Sequence, residues 1–261
     1  MNVLLLTMNE PMYMPRYLEP LLDEYSDDIS NVVIAPHPGE GLLTTARMRY
    51  RMFGPAVFLR YGFHFAGGKF LGALPYTIQK SLMDRYYSVP SLCKANGIPV
   101  QTEIDVNSEE FRSEVREQNI DLILSISCGQ KLGPELLSIP EYGAINLHGS
   151  LLPNYRGRAT AFWVLYHDED HSGVTAHYMN EALDEGDIVL QRKFPISDDD
   201  TMHDVYNKVV KTGGELAKEV IDRVEAGEIE TQSNPVEDGG YYTLPGPKER
   251  HEFRKQGNKF R

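Results

Sequence analysis

A chain of 261 residues that is 41% hydrophobic, with a mean hydropathy of −0.39 and two isolated cysteines, can bury a sizeable core. Those values exclude a disulfide framework, a zinc knuckle and a transmembrane span. Its 38 acidic and 26 basic side chains leave a net charge of −12, which argues against non-specific binding to nucleic acid, because such binding comes from basic side chains neutralising phosphates.

Met1-Asn-Val-Leu-Leu-Leu-Thr7 lacks the basic start and the length of a secretory leader, so it reads as an opening strand, Val3 to Leu6, of a cytoplasmic protein. A helix is expected from Pro15 to Tyr25, where Leu18, Leu21, Leu22 and Tyr25 recur at helical spacing, and a second strand from Asn31 to Ala35. Asn9-Glu-Pro11 follows the first strand where a dinucleotide fold would carry Gly-x-Gly-x-x-Gly, so no such cofactor is expected.

The segment 47–85 runs against the whole composition. It holds Arg47, Arg49, Arg51, Arg60, Lys69, Lys80 and Arg85 against one acid, Asp84, a surplus of six positive charges interleaved with eight aromatic residues. It reads as an insertion that either packs its aromatics over the sheet or offers a basic surface to a nucleotide diphosphate, a homo-oligomer partner or a membrane face.

Further on, a helix is expected near Ser91 to Asn96, a short strand at Ile98 to Val100, a helix from Ser108 to Gln118 with Ser108 as its cap, and a strand from Asp121 to Ser125. A helix ends at Leu136 to Ile139. Strands follow at Ile145 to Leu147, Val174 to Met179 and Ile188 to Gln191, with a helix from Ala161 to His167 in which Trp163 is a core residue. Thr201 and Asp204 form a capping box for a helix that runs to about Glu225 and stops at Gly227. Strands alternating with helices imply βαβ units and a mainly parallel central sheet. One domain, 1–227, with a tail, 228–261, is the organisation this predicts.

Within the later strands lies the chemistry. Asn146 and His148 are two residues apart, so in a strand their side chains leave one face, and Asp184 follows the next strand. An amide donor, a titratable ring and a carboxylate are what acylation of an amine needs: an oxyanion stabiliser, a proton handler and an orienter. His177 is a candidate substrate-binding residue lining the site beside Asp184, with a satisfied strand histidine as the alternative, and Arg156 and Arg158 are candidates for holding substrate phosphate with forked guanidinium groups. His167 and His171 are four apart but sit at a turn with no third ligand, so no metal is expected.

The blocks Asn146-Leu-His-Gly-Ser-Leu-Leu-Pro153, Gly173-Val-Thr175 and Leu183-Asp-Glu-Gly-Asp-Ile188 together resemble the formyltransferases that use 10-formyltetrahydrofolate. The family includes methionyl-tRNA, glycinamide ribonucleotide and sugar-nucleotide N-formyltransferases. The resemblance implies a Rossmann-like formyltransferase fold, a catalytic trio of Asn146, His148 and Asp184, and 10-formyltetrahydrofolate as co-substrate. It also implies a folate pocket between the loop holding Cys128, Gly129, Gln130 and Leu132 and the loop holding Leu183 and Gly186. By exclusion and family analogy the acceptor is a small-molecule amine, an amino-sugar nucleotide. Against tRNA stand the acidic balance and the few residues after the long helix, too few for the basic carboxyl-terminal barrel of the tRNA-directed members. The alternatives are a methionyl-tRNA formyltransferase without that barrel, a hydrolase releasing formate, and a silent binding module.

Overall fold

Apolar segments of five residues or so assemble the centre of the molecule. In the computed structural model, which describes residues 1–37 and 41–261, the strands β1 (Val3–Thr7), β2 (Ile29–Ile34), β3 (Val100–Thr102), β4 (Leu122–Ile126) and β5 (Ala144–His148) pair in parallel. After a two-residue β6 (Arg156–Gly157), the strands β7 (His171–Tyr178) and β8 (Ile188–Pro195) continue the sheet in antiparallel sense, giving the order β3-β2-β1-β4-β5-β7-β8. The mainly parallel α/β sheet expected from the sequence is therefore present, with an antiparallel edge.

Because strand side chains alternate, Val3 and Leu5 enter one apolar cluster while Leu4 and Leu6 enter another on the opposite face. Helices α1 (Met14–Glu24), α2 (Leu42–Phe53), α3 (Pro55–Gly72), α4 (Tyr76–Met83) and α5 (Val89–Ala95) follow in turn. Helices α6 (Glu109–Glu117) and α7 (Pro134–Leu137) cover the second face through Phe111, Val115 and Leu136. Then come α8 (Thr160–Tyr166) and the long α9 (Met202–Ala226), which packs against α1 on the first face.

Local signals set most boundaries. Ser108 accepts from the Phe111 N–H, and Thr201 forms a reciprocal capping box with Asp204. Two expectations are displaced. The strand expected at Ile98 to Val100 lies at Val100–Thr102, because the Ile98 N–H is drawn back to the Cys93 carbonyl at 2.9 Å and closes the end of α5. The helix expected to end at Leu136 to Ile139 is the single turn α7.

Residues 228–261 join the same core. Gln232 exchanges two 2.8 Å backbone bonds with Ile188, and β9 (Tyr241–Tyr242) pairs in parallel with β6. Helix α10 (Pro247–Lys255) buries Phe253 completely, its ring stacked on Phe162 at 4.5 Å between centroids. The segment 47–85 falls into α2, α3 and α4 with their connections. Part of it packs as a cover, with Phe53 buried and stacked on Tyr61, yet Leu59, Phe63 and Phe70 stand 61%, 79% and 71% exposed.

Candidate active site

Register brings the polar groups together. Ser125 on β4 lies beside Asn146 on β5, which lies beside His177 on β7. The Ser125 hydroxyl donates to Asn146 Oδ1 at 2.9 Å. On the far side of the row, His177 Nδ1 is 2.9 Å from the Tyr178 carbonyl, so that nitrogen carries the proton and donates. Nε2 is then an acceptor and takes one N–H of Asn146 at 3.2 Å. The Asn146 amide is thereby fixed in orientation, with its second N–H left for another acceptor.

His148, two residues further along β5, is buried. Its Nε2 donates to the Tyr155 carbonyl at 2.9 Å, which leaves the Nδ1 lone pair directed at Asp184 Oδ1, 3.6 Å away. Burial keeps the ring's proton affinity below the ordinary histidine value, although the Asp184 charge works the other way. A neutral ring with a free Nδ1 results. A proton arriving there meets a carboxylate in place to hold it.

Burial tends to raise the Asp184 carboxyl, but the His148 ring whenever it carries a proton, the neighbouring His177 ring and the Gly157 N–H, 2.8 Å from Oδ2, outweigh it and hold the acid at about 2. Asp184 itself takes a left-handed backbone conformation, φ +56°, uncommon for any residue but glycine. Its loop is clamped from the carboxyl-terminal segment, where the Asn234 amide donates to the Asp184 and Gly186 carbonyls at 3.1 Å each. Gly186 is obligatory there, since a Cβ would stand 1.9 Å from the Tyr178 carbonyl oxygen.

A cleft of about 310 Å³ opens beside this cluster, lined by Cys128, Gly129, Gln130, Leu132 and Leu183 together with Asn146, His177 and Asp184. Of the residues expected around folate, Gly186 shapes the loop without lining the cleft. The Gln130 amide is engaged at the cleft wall, donating to the Ile104 carbonyl at 2.6 Å and accepting from the Val106 N–H at 3.1 Å, so it braces the neighbouring loop. The Cys128 thiol is pushed up by burial and has no thiolate character at neutral pH. Gly129 lets two strand ends close on one another, because a Cβ would meet the Ala35 carbonyl and His37 N–H at 2.6 Å.

Arg156 and Arg158 do not line the cleft. Arg156 pairs with Glu185 and donates to the Val236 carbonyl at 3.3 Å, tying β6 to the Asp184 loop, and the Arg158 backbone N–H joins the Tyr242 carbonyl at 2.8 Å. Sequence reasoning missed Ser125, Thr175 and Asn234. Thr175 donates to the Ser150 carbonyl at 2.7 Å and accepts from the Leu152 N–H, which fixes the turn after His148. Its place in the block Gly173-Val-Thr175 was a signal for it; Asn234, fifty residues beyond Asp184, had none.

A second cavity of about 190 Å³ lies past the end of β1, between α2, α3 and the start of α9. It is lined by Arg49, Arg60, Arg261, His203, Tyr13 and Tyr61, among others, and by one buried acid, Glu10. Tyr13 and His203 are bonded across it at 2.5 Å.

Residues 80–221, more than half of the chain, match the Formyl transferase family. A methionyl-tRNA formyltransferase of Citrifermentans bemidjiense is 40% identical over 141 residues, covering 54% of this chain and 44% of the relative. One of Clostridioides difficile is 35% identical over 153 residues, covering 59% and 50%. The chain thus spans about half the length of these relatives. Among solved structures, phosphoribosylglycinamide formyltransferase from Anaplasma phagocytophilum superposes with a TM-score of 0.61 at 17% identity, covering 93% of this chain and 99% of that one. An N-formyltransferase from Helicobacter canadensis, in complex with folinic acid and dTDP-3-aminofucose, gives 0.58 at 21%, covering 93% and 70%. With the fold shared across these structures and the sequence matched over its central strands and loops, the chain belongs to the Formyl transferase family.

Proposed function

We propose that the chain transfers a formyl group from 10-formyltetrahydrofolate to a primary amine, that of a nucleotide-linked amino sugar. The observation that carries this reading is the opening of Asn146 and Asp184 onto one cleft, with the amide oriented and a neutral His148 ring buried behind them, its Nδ1 3.6 Å from Asp184 Oδ1. The co-substrate, when bound, supplies the formyl carbon. A cleft of about 310 Å³ with apolar walls at Leu132 and Leu183 and several backbone polar groups has the size and character of a small heteroaromatic site.

The chain's residues then act in order. The amine nitrogen attacks the formyl carbon, and the second N–H of Asn146 donates to the oxygen that gains charge. The proton leaving the attacking nitrogen is taken at His148 Nδ1, where Asp184 stabilises the resulting cation. As the bond from the formyl carbon to N10 breaks, a proton is returned to N10. One formamide and one tetrahydrofolate result.

The acceptor class draws support from the second cavity. Three guanidinium groups around a single buried acid suit an anionic acceptor. Strand neighbours lie about 4.8 Å apart, so the end of β1 is about 10 Å from β5 across β4, a span that fits a sugar phosphate. Family relatives of known structure include an enzyme in complex with dTDP-3-aminofucose. A second reading, formylation of charged initiator tRNA, is favoured by the 40% and 35% identity to methionyl-tRNA formyltransferases. The net charge of −12 weighs against it.

The test is incubation with 10-formyltetrahydrofolate and, in parallel, a panel of amino-sugar nucleotides and charged initiator tRNA. Mass spectrometry for one added formyl group and absorbance for tetrahydrofolate give the readout. Efficient formylation of tRNA with none of any sugar nucleotide overturns the choice of acceptor, and formate release without an amine product overturns the transferase reading.

A further inference from the structure

Seven of the ten large apolar side chains exposed among the described residues fall between residues 43 and 82, in one sixth of the chain. On α3 they have a periodicity. Leu59, Phe63, Ala66 and Phe70 are spaced four, three and four apart and so form a single stripe, while Tyr61, Phe65 and Gly68 on the other side rest on the protein. Tyr61 and Phe65 stack at 6.4 Å, and Gly68 abuts Pro11, so the outward direction of the stripe is fixed by packing behind it. The neighbouring helices repeat the pattern: Leu43 is 85% exposed on α2, and Leu82 is 78% exposed on α4.

Charge is segregated in the same place. Residues 47–85 carry a surplus of six positive charges, which leaves −18 on the rest of a chain whose total is −12. Arg47 and Arg51 on α2 are exposed, as are Arg60 and Lys69 on α3, one to each side of the stripe. A long basic side chain beside an apolar stripe can lay its stem along the apolar surface and keep its charge at a polar boundary.

We propose that the face made by α2, α3 and α4 docks on an anionic lipid bilayer, with the α3 stripe entering the interfacial layer and the arginines engaging the headgroups. Three observations select this occupant. The partner has to be negatively charged, because the face is basic and the remainder of the molecule would be repelled from a negative surface, so attraction also sets orientation. A symmetric pairing of two copies through this face would bring like charges together, the exposed Arg47, Arg51 and Lys69 of each copy. The apolar groups project singly, Phe63 beside Gly62 and Phe70 beyond Gly67 and Gly68, as wedges for a fluid phase needing no matching pocket. No helix among the described residues is long and apolar enough to cross a membrane, so the contact is one of surface.

Flotation of the protein with vesicles of phosphatidylcholine alone, and of phosphatidylcholine with 30% phosphatidylglycerol, tests the proposal, in about 50 mM and about 500 mM salt. The expected result is binding to the anionic vesicles at least about tenfold above the neutral ones, weakened about tenfold by the higher salt. Phe63→Ser with Phe70→Ser, and separately Arg47→Gln with Arg51→Gln, should each lower binding by about tenfold. Formyl transfer to a soluble amine and the circular dichroism should stay at the parental level in both. Equal retention on neutral and anionic vesicles, or binding indifferent to both double substitutions, overturns it. So does light scattering that finds a dimer dissociated by Phe63→Ser with Phe70→Ser while no vesicles are bound, because the face is then a contact between copies.

Discussion

In the proposed mechanism Asn146 works as a donor only because its neighbours decide which way its amide points. Ser125 marks the oxygen and His177 the nitrogen, so the pair act as positioning residues for one N–H. Replacing Asn146, His148 or Asp184 by Ala is expected to lower turnover at least about a hundredfold, about 3 kcal/mol of barrier, with unchanged circular dichroism and strongly non-additive doubles. Near-parental turnover in any single variant removes that residue from the chemistry. The acid side of the pH profile follows from the same contacts. With His148 held below the ordinary histidine value, the proposed mechanism needs the neutral ring, so activity should rise with pH through a midpoint under about 6.5. Asp184→Asn withdraws the charge that raises the ring's affinity, so that midpoint should move further to the acid side. Stability shifts in the same sense. Asp184 titrates lower in the folded chain than unfolded, about 2 against 3.8, so its contribution is full above pH 4 and lost as pH falls toward 2, on the order of 2 kcal/mol. Urea midpoints at pH 6 and pH 3 should therefore differ less in Asp184→Asn than in the parent. The convergence of Asn146, His148 and Asp184 was legible in the sequence because strand alternation and short spacing define it. What Ser125 and His177 do was not, since it arises from register between strands whose partners lie 21 and 31 residues away.

Elements meet through a few close contacts. On the first face of the sheet, α9 crosses α1 where Gly213 leaves room for the Tyr17 ring, and a Cβ there would lie 1.8 Å from the Tyr17 hydroxyl oxygen. Gly213→Ala should destabilise by about 2 kcal/mol through overpacking, seen as an earlier urea midpoint with unchanged slope. Gly227 offers the contrast. It lies past the end of α9 with open space around it, and its requirement is a left-handed cap, φ +68°. The Asp184 loop is fastened by Asn234, and Asn234→Ala is expected to reduce kcat about tenfold with little change in KM, because the carboxylate and not the cleft is loosened. The pH midpoint should shift as in Asp184→Asn; a fall in stability alone, with kcat and the midpoint unchanged, would leave Asn234 as packing. Periodicity and caps made α1, α6 and α9 readable. β3 was misplaced because the Ile98 N–H serves the helix before it, a competition between two elements that composition does not record.

Taken as a whole, the molecule buries an apolar cluster on each face of its sheet and divides its charge between a basic segment, 47–85, and an acidic remainder. Phe253 sits at zero exposure against Phe162, so Phe253→Ala should cost about 3 to 5 kcal/mol and lower the thermal midpoint by about 10 °C, measurable by calorimetry. A core distributed in this way was hard to read. The polar run from Glu237 to Arg261 looks like a tail until Phe253 and Phe260 are seen to reach across it. The mainly parallel sheet was legible because buried parallel strands are continuous apolar runs. The clamp from Asn234 onto the Asp184 loop has a temporal consequence. Chains emerge from the ribosome amino end first, at roughly 5 to 20 residues per second, so Asn146, His148 and Asp184 are all synthesised before the segment that fastens them. The nascent protein can therefore hold a complete seven-stranded sheet while Asn146, His148 and Asp184 stand unaligned, and on the proposed mechanism it becomes competent once Gln232 bridges Ile188, Asn234 reaches the Asp184 loop and Tyr241–Tyr242 pair with Arg156–Gly157.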